Sequence, residues 1–194
     1  MTTKHTITGP IIIRHRINTL EELHNTPIEY GIEFDIREGP QGIVVTHDPW
    51  TQGVPFDTFI SSAKHAFYIV NVKSEGIEYE TLRILKTNGI ENFFLLDCSF
   101  PMIVRLSKHG ERRIAVRVSE YESVQTAICM KQHVDWIWLD NFEKLPSIDR
   151  CMELRNAGFQ ICLVSPELQC RRDSPIYLRN CIDAVCTKTP NLWL

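Results

Sequence analysis

The sequence predicts an α/β protein, a compact (β/α)8 TIM barrel, and three observations carry that prediction. Short, nearly continuous apolar runs recur eight times along the chain, and segments with apolar residues at helical spacing separate them. Chemically active side chains collect just after the runs. Apolar strands alternating with helices call for a parallel sheet whose outer face the helices cover. Eight such units favour closure into a barrel. The runner-up is an open doubly wound sheet, but no glycine-rich nucleotide fingerprint follows the first run.

The predicted strands fall at 11–15, 31–36, 67–72, 92–96, 113–118, 136–139, 160–164 and 182–186. Helical spacing covers 19–25, 56–64, 79–88, 101–109, 123–133 and 146–157, with a weaker stretch at 175–180. Gly89, Gly110 and Gly158 stand where helices should stop, and Ser123 and Ser147 where they should start. One connection departs from the pattern. Gly39-Pro40-Gln41-Gly42 separates Ile36 from Ile43-Val44-Val45 and reads as a turn, which would return His47 to the barrel end carrying Glu33 and Asp35.

With 194 residues, 43% of them hydrophobic, the chain can bury one substantial core, and nothing marks a linker, so residues 1–194 are read as one domain. It is shorter than the ~250 residues usual for a barrel, so its loops must be short. A net charge of −3 with interleaved acids and bases gives no footprint for nucleic acid, while a few local cations would suffice for a small anionic substrate. The first eight residues lack the apolar core of a signal peptide, and no run approaches the ~18 apolar residues of a membrane span. A cytoplasmic protein is expected, with self-association left open. Seven cysteines without a Cys-x-x-Cys pair fit neither a zinc knuckle nor a full disulfide framework. Most are read as reduced core residues, with Cys98 carrying a minor nucleophile hypothesis.

In a barrel, function belongs to the C-terminal strand ends. The residues there include His15 and Arg16, Glu33, Asp35 and Arg37, Asn71 and Lys73, Asp97 and Ser99, Arg117, Asp140, Glu167 and Lys188. Side-chain alternation puts Glu33, Asp35 and Arg37 on one face of their strand, and Asn71 with Lys73 on one face of theirs. Glu33 and Asp35 offer hard oxygen donors suited to Mg²⁺ or Ca²⁺; a buried ionic network with Arg16, Arg37 or Lys73 accounts for them equally well. His15 and His47 suit proton transfer near neutral pH. Asp97, Asp140 and Glu167 could contact substrate or cap the helices that follow.

The motifs His15-Arg16, Asn18-Thr19, Glu33-Phe34-Asp35 and His47-Asp48 resemble those of the glycerophosphodiester phosphodiesterase family, and the likeness extends to Asn71-Val72-Lys73 and to the closing 182–190 segment. The resemblance implies a TIM barrel with one divalent cation, Mg²⁺ or Ca²⁺. It implies Glu33 and Asp35 as ligands with residue 71, His15 and His47 as general acid and base, and Arg16 and Lys73 as a phosphate clamp. Asp97 and Lys188 are further substrate-contact candidates. The sequence departs from the family at Asn71, which replaces a glutamate, at Ile17, which replaces a glycine, and in lacking an inserted subdomain between His47 and Phe67. Hydrolysis of a glycerophosphodiester-like substrate is therefore the expected function. The alternatives are a barrel that binds a phosphorylated metabolite, or serves as an assembly subunit, without turnover, and a lyase built on Lys73.

Overall fold

The alternation of apolar runs and helical segments folds as the sequence predicts. The computed structural model describes residues 9–194; the opening segment, on which the leader-peptide reading rests, lies outside the described residues. The strands are β1 (Ile11–Arg14), β2 (Gly31–Gly39), β3 (Gly42–Val45), β4 (Val54–Pro55), β5 (Tyr68–Val72), β6 (Phe93–Leu96), β7 (Ala115–Val118), β8 (Trp136–Leu139), β9 (Gln160–Val164) and β10 (Ala184–Thr187). The helices are α1 (Leu20–Asn25), α2 (Phe56–Ser62), α3 (Glu78–Thr87), α4 (Phe100–Lys108), α5 (Val124–Cys129) and α6 (Ile148–Asn156).

Parallel ladders run β10-β1-β2-β5-β6 on one side and β7-β8-β9-β10 on the other. The ring closes between β6 and β7 through the single bridge Leu95 to Ile114, where the Leu95 N–H donates to the Arg113 carbonyl at 2.9 Å. Eight parallel strands thus form the barrel. The turn at 39–42 makes β2 and β3 an antiparallel hairpin that projects beyond it, with β4 pairing against β3.

Local chemistry explains where the helices begin. Thr19 accepts from the Glu22 N–H while the Glu22 side chain reaches back to the Thr19 N–H, a capping box that starts α1. Ser99, Ser123 and Ser147 each accept from the backbone N–H three residues on. The weak helical stretch at 175–180 is only a 3-10 turn, Ile176–Leu178, and a second one spans Pro166–Gln169. Proline opens both segments, Pro166 at the first position of one and Pro175 just before the other, where its missing N–H costs no hydrogen bond.

Alternation sorts each strand into two faces. Outward residues such as Ile32, Phe34, Val70, Leu95, Val116, Ile137 and Leu163 pack against the helices. Inward residues Ile13, Phe67, Ile69, Phe94, Trp136, Trp138 and Cys186 fill the barrel. Phe94 and Trp136 lie 4.9 Å apart by ring centroid, and Phe67 and Trp136 5.3 Å, so aromatic rings plug the N-terminal end. Gly31 takes the neighbouring inward position because a Cβ there would come within 2.8 Å of Ile13 and 3.0 Å of the Phe67 carbonyl. All seven cysteines are free thiols, and no helix among the described residues is long and apolar enough to cross a membrane.

Candidate active site

The inward series that is apolar at the bottom of the barrel becomes polar at the top. His15, Arg16, Glu33, Asp35, His47, Asn71, Lys73 and Asp97 all line one cleft of about 170 Å³ at the C-terminal mouth, floored by Leu96, Trp138 and Val164. Eight of the nine sequence-derived site residues therefore meet. The ninth, Lys188, is exposed beyond β10 and does not line the cleft; its backbone N–H donates to Glu167 at 3.1 Å. The hairpin returns His47 as expected, because the Thr46 N–H donates to the Asp35 carbonyl at 3.0 Å and Arg37 Nε to the His47 carbonyl at 2.9 Å.

Glu33 and Asp35 are both buried, so their partners decide what they can do. Glu33 accepts from the Arg16 N–H at 2.7 Å and from Asn71 Nδ2 at 3.0 Å. Arg16 reaches this position with φ of 58°, a left-handed conformation uncommon outside glycine. Asp35 accepts from Asn18 Nδ2 at 2.8 Å, while its own N–H donates to Asn18 Oδ1 at 2.9 Å. Lys73 Nζ stands 3.6 Å from Asp35 and 3.0 Å from Asp97. Asp97 thus partners Lys73.

Burial, then repulsion from Asp35, push the Glu33 carboxyl up to about 7 against the hydrogen bonds from Asn71 and Arg16. Burial, reinforced by the charge of Lys188, pushes the His15 imidazole down to about 4. His15 Nε2 lies 3.8 Å from Glu33, but with the ring neutral near pH 7 this is no ion pair. His15 Nδ1 is buried without a partner. His47 Nδ1 is bonded at 2.7 Å to Asp48, whose carboxyl is held below its usual range first by that bond. The bond leaves Nε2 of His47 available to exchange a proton.

The opposite wall carries a network that sequence reasoning did not assemble. Arg117 donates to Asp97 at 2.9 Å and to Asp140 at 2.5 Å, and Gln169 Nε2 donates to Asp140 at 2.8 Å. Asp97 and Asp140 are therefore both cross-strand partners of Arg117, while Ser99 caps α4. Gln169, from a 3-10 turn, carried no signal in the sequence. Asn18 and Asp48 were visible as motif residues without roles; the structure makes them the partners that orient Asp35 and His47. Burial pushes the Cys98 thiol far up, which removes the nucleophile hypothesis.

Among the described residues, no group of three or more His, Cys, Asp or Glu side chains converges as a metal site. The donor set that remains is two carboxylates and an amide. Asn71 Oδ1 is buried with no hydrogen-bond partner, an orphaned acceptor whose own amide nitrogen is bonded to Glu33. Glu33, Asp35 and that oxygen fit a hard divalent cation.

No family model and no curated protein matches the chain. Solved structures do. A protein described as a glycerophosphoryl diester phosphodiesterase from Agrobacterium tumefaciens superposes with a TM-score of 0.71 at 14% identity, covering 94% of this chain and 95% of that one. A glycerophosphoryl diester phosphodiesterase from Parabacteroides distasonis gives 0.66 at 15%, covering 95% and 84%. A phosphodiesterase from Oleispira antarctica, in complex with the product sn-glycerol-3-phosphate, gives 0.64 at 16%, covering 94% of each. The chain has the (β/α)8 barrel fold of the glycerophosphodiester phosphodiesterases, over nearly its whole length.

Proposed function

We propose that this chain is a phosphoric diester hydrolase acting on a glycerophosphodiester-like substrate with a divalent cation, Mg²⁺ or Ca²⁺. The observation that carries the reading is the convergence of His15, His47, the buried Glu33 and Asp35, the orphaned Asn71 amide oxygen, Arg16 and Lys73 in one small cleft at the barrel mouth. Glu33, Asp35 and Asn71 would hold the cation, which when bound offsets the charge growing on the phosphoryl oxygens.

The chain's own groups supply the rest. Arg16 and Lys73 flank the carboxylate pair and clamp the anionic phosphate. His15, neutral near pH 7, takes the proton of the attacking oxygen, whether water or a hydroxyl of the substrate. His47, steadied by Asp48, gives a proton to the departing alkoxide oxygen. Asn18 fixes Asp35, so that carboxylate does not have to reorganise when charge moves. The seven free thiols accord with a cytoplasmic location.

The test is cleavage of a panel of phosphodiesters by purified protein with Mg²⁺, Ca²⁺ or Mn²⁺. His15→Ala and Glu33→Ala should each lower kcat by about 100-fold or more. A second reading, a barrel that binds a phosphorylated metabolite without turnover, is favoured by the glutamate lost at position 71. Tight glycerol phosphate binding with no metal-stimulated cleavage across the panel would establish it in place of the first.

A further inference from the structure

A groove of about 870 Å³ lies on the hairpin, apart from the cleft, and shares no lining residue with it. Strand pairing sets its faces. Ile36, Val45 and Val54 form one cross-strand row and Arg37, Val44 and Pro55 the next, so alternation turns the two rows to opposite sides of the β2–β3–β4 sheet. The first row belongs to the core outside the barrel. The second floors the groove, with Pro40, Pro49 and Trp50 around it.

Trp50 is fully exposed, and its backbone has φ of 64°, left-handed for a bulky residue. Thr51 Oγ1 pins the loop by bonding to Thr46 Oγ1 and to the Asp48 carbonyl, both at 2.7 Å. A strained loop thus holds an indole in water on the rim of a largely apolar depression. A projection beside a recess on one surface is complementary to a copy of itself related by a two-fold axis.

Charge and area favour the same occupant. Arg37 and Glu38 both line the groove, and neither is in an ion pair among the described residues. A two-fold axis through this face brings Arg37 of one copy towards Glu38 of its partner, and does so twice. A buried aromatic side chain covers about 150–250 Å² and the walls that receive it lose a similar area, so exchanging two indoles removes about 600–1,000 Å², the range of a weak, reversible association. An added strand has no ladder to join, because β4 is two residues long and ends at Pro55, which has no N–H.

We infer that this face pairs two copies of the chain in a weak two-fold dimer, each Trp50 seated in the groove of the other. Neither the cleft nor its chemistry enters into this pairing.

Sedimentation equilibrium of the purified 22.5 kDa chain should show its mean mass climbing towards twice the monomer value, with a dissociation constant on the order of 10–100 µM. Trp136, Trp138 and Trp193 are buried, so iodide quenching of the fluorescence reads Trp50 and should fall as the dimer forms. Trp50→Ala, which removes no internal packing, should weaken pairing by about tenfold or more. Glu38→Lys, which sets like charges face to face, should weaken it by about the same factor. Tyr121→Ala, an exposed aromatic between β7 and α5, should keep the wild-type constant. A monomer mass at every concentration overturns the inference, and a blue shift of Trp50 emission on phosphatidylglycerol vesicles would then give the face to a lipid surface. A dimer in which iodide still quenches Trp50, or which Trp50→Ala leaves intact, pairs through another face and overturns it equally.

Discussion

Residue 71 concentrates the electrostatic problem of the site. Asn71 is buried, its amide nitrogen committed to Glu33 and its oxygen to nothing. In Asn71→Glu the donated bond is lost and a third carboxylate joins two others, so metal-free protein should lose about 1–3 kcal/mol in chemical denaturation. If residue 71 faces the cation, the same change should tighten Mg²⁺ or Ca²⁺ binding by about tenfold or more, and added cation should restore the stability lost. Calorimetric titration of both proteins decides it, and equal affinities would place residue 71 away from the ion. The pH dependence has a defined sign. Glu33 is raised to about 7, and a carboxylate must lose its proton to ligate, so wild-type affinity should climb from pH 6 to pH 8 with proton release.

The hairpin is the element that brings His47 to the carboxylates, and its outer loop is closely packed. A Cβ on Gly53 would sit 2.5 Å from the Val45 carbonyl oxygen, a backbone atom that cannot swing aside. Gly53→Ala should therefore displace the 46–53 loop and lower kcat by about tenfold or more while cation affinity, which the proposed site assigns to residues of β2 and β5, stays near wild type. Steady-state kinetics beside cation titration would show the split; parallel loss of both would mean the loop and the carboxylates move together. Much of this element was legible. Gly39-Pro40-Gln41-Gly42 announces the turn by composition, and period-two alternation puts Glu33 and Asp35 on one face. Less legible was the extension of β2 from the expected 31–36 to Gly39, and the two-residue β4, because both depend on pairing with β3. Partner choice was equally hidden. Asp97 and Asp140 could equally have contacted substrate or capped the helices that follow, and only the three-dimensional placement of Arg117 shows them as its partners while Ser99 takes the cap of α4.

At the scale of the whole barrel, closure is thinnest between β6 and β7, where one bridge joins Leu95 to Ile114. Side chains reinforce that seam at both ends. Below it, the Arg113 guanidinium lies 4.1 Å from the Phe93 ring centroid, and it donates to the Glu91 carbonyl at 3.2 Å. Above it, Arg117 on β7 holds Asp97 at the end of β6, and Lys73 ties Asp97 back to β5. Asp97→Asn should loosen the seam, costing about 1–3 kcal/mol, between the values for exposed and buried pairs. Amide exchange should accelerate first in β6 and β7, and uniform acceleration around the barrel would show that the seam is no weaker than its neighbours. Burial alone would raise the Asp97 carboxyl, but the charges of Lys73 and Arg117 outweigh it and hold it below 3.8. A carboxyl depressed in the folded state contributes stability that is fully present above its unfolded value and is lost as pH falls through the folded value. The advantage of wild type over Asp97→Asn should thus be constant from pH 7 to about 5, then shrink as the pH drops below the ordinary aspartate range. Denaturation midpoints measured across that span check the sign, and an advantage that grew on acidification would remove Asp97 from the seam's electrostatics.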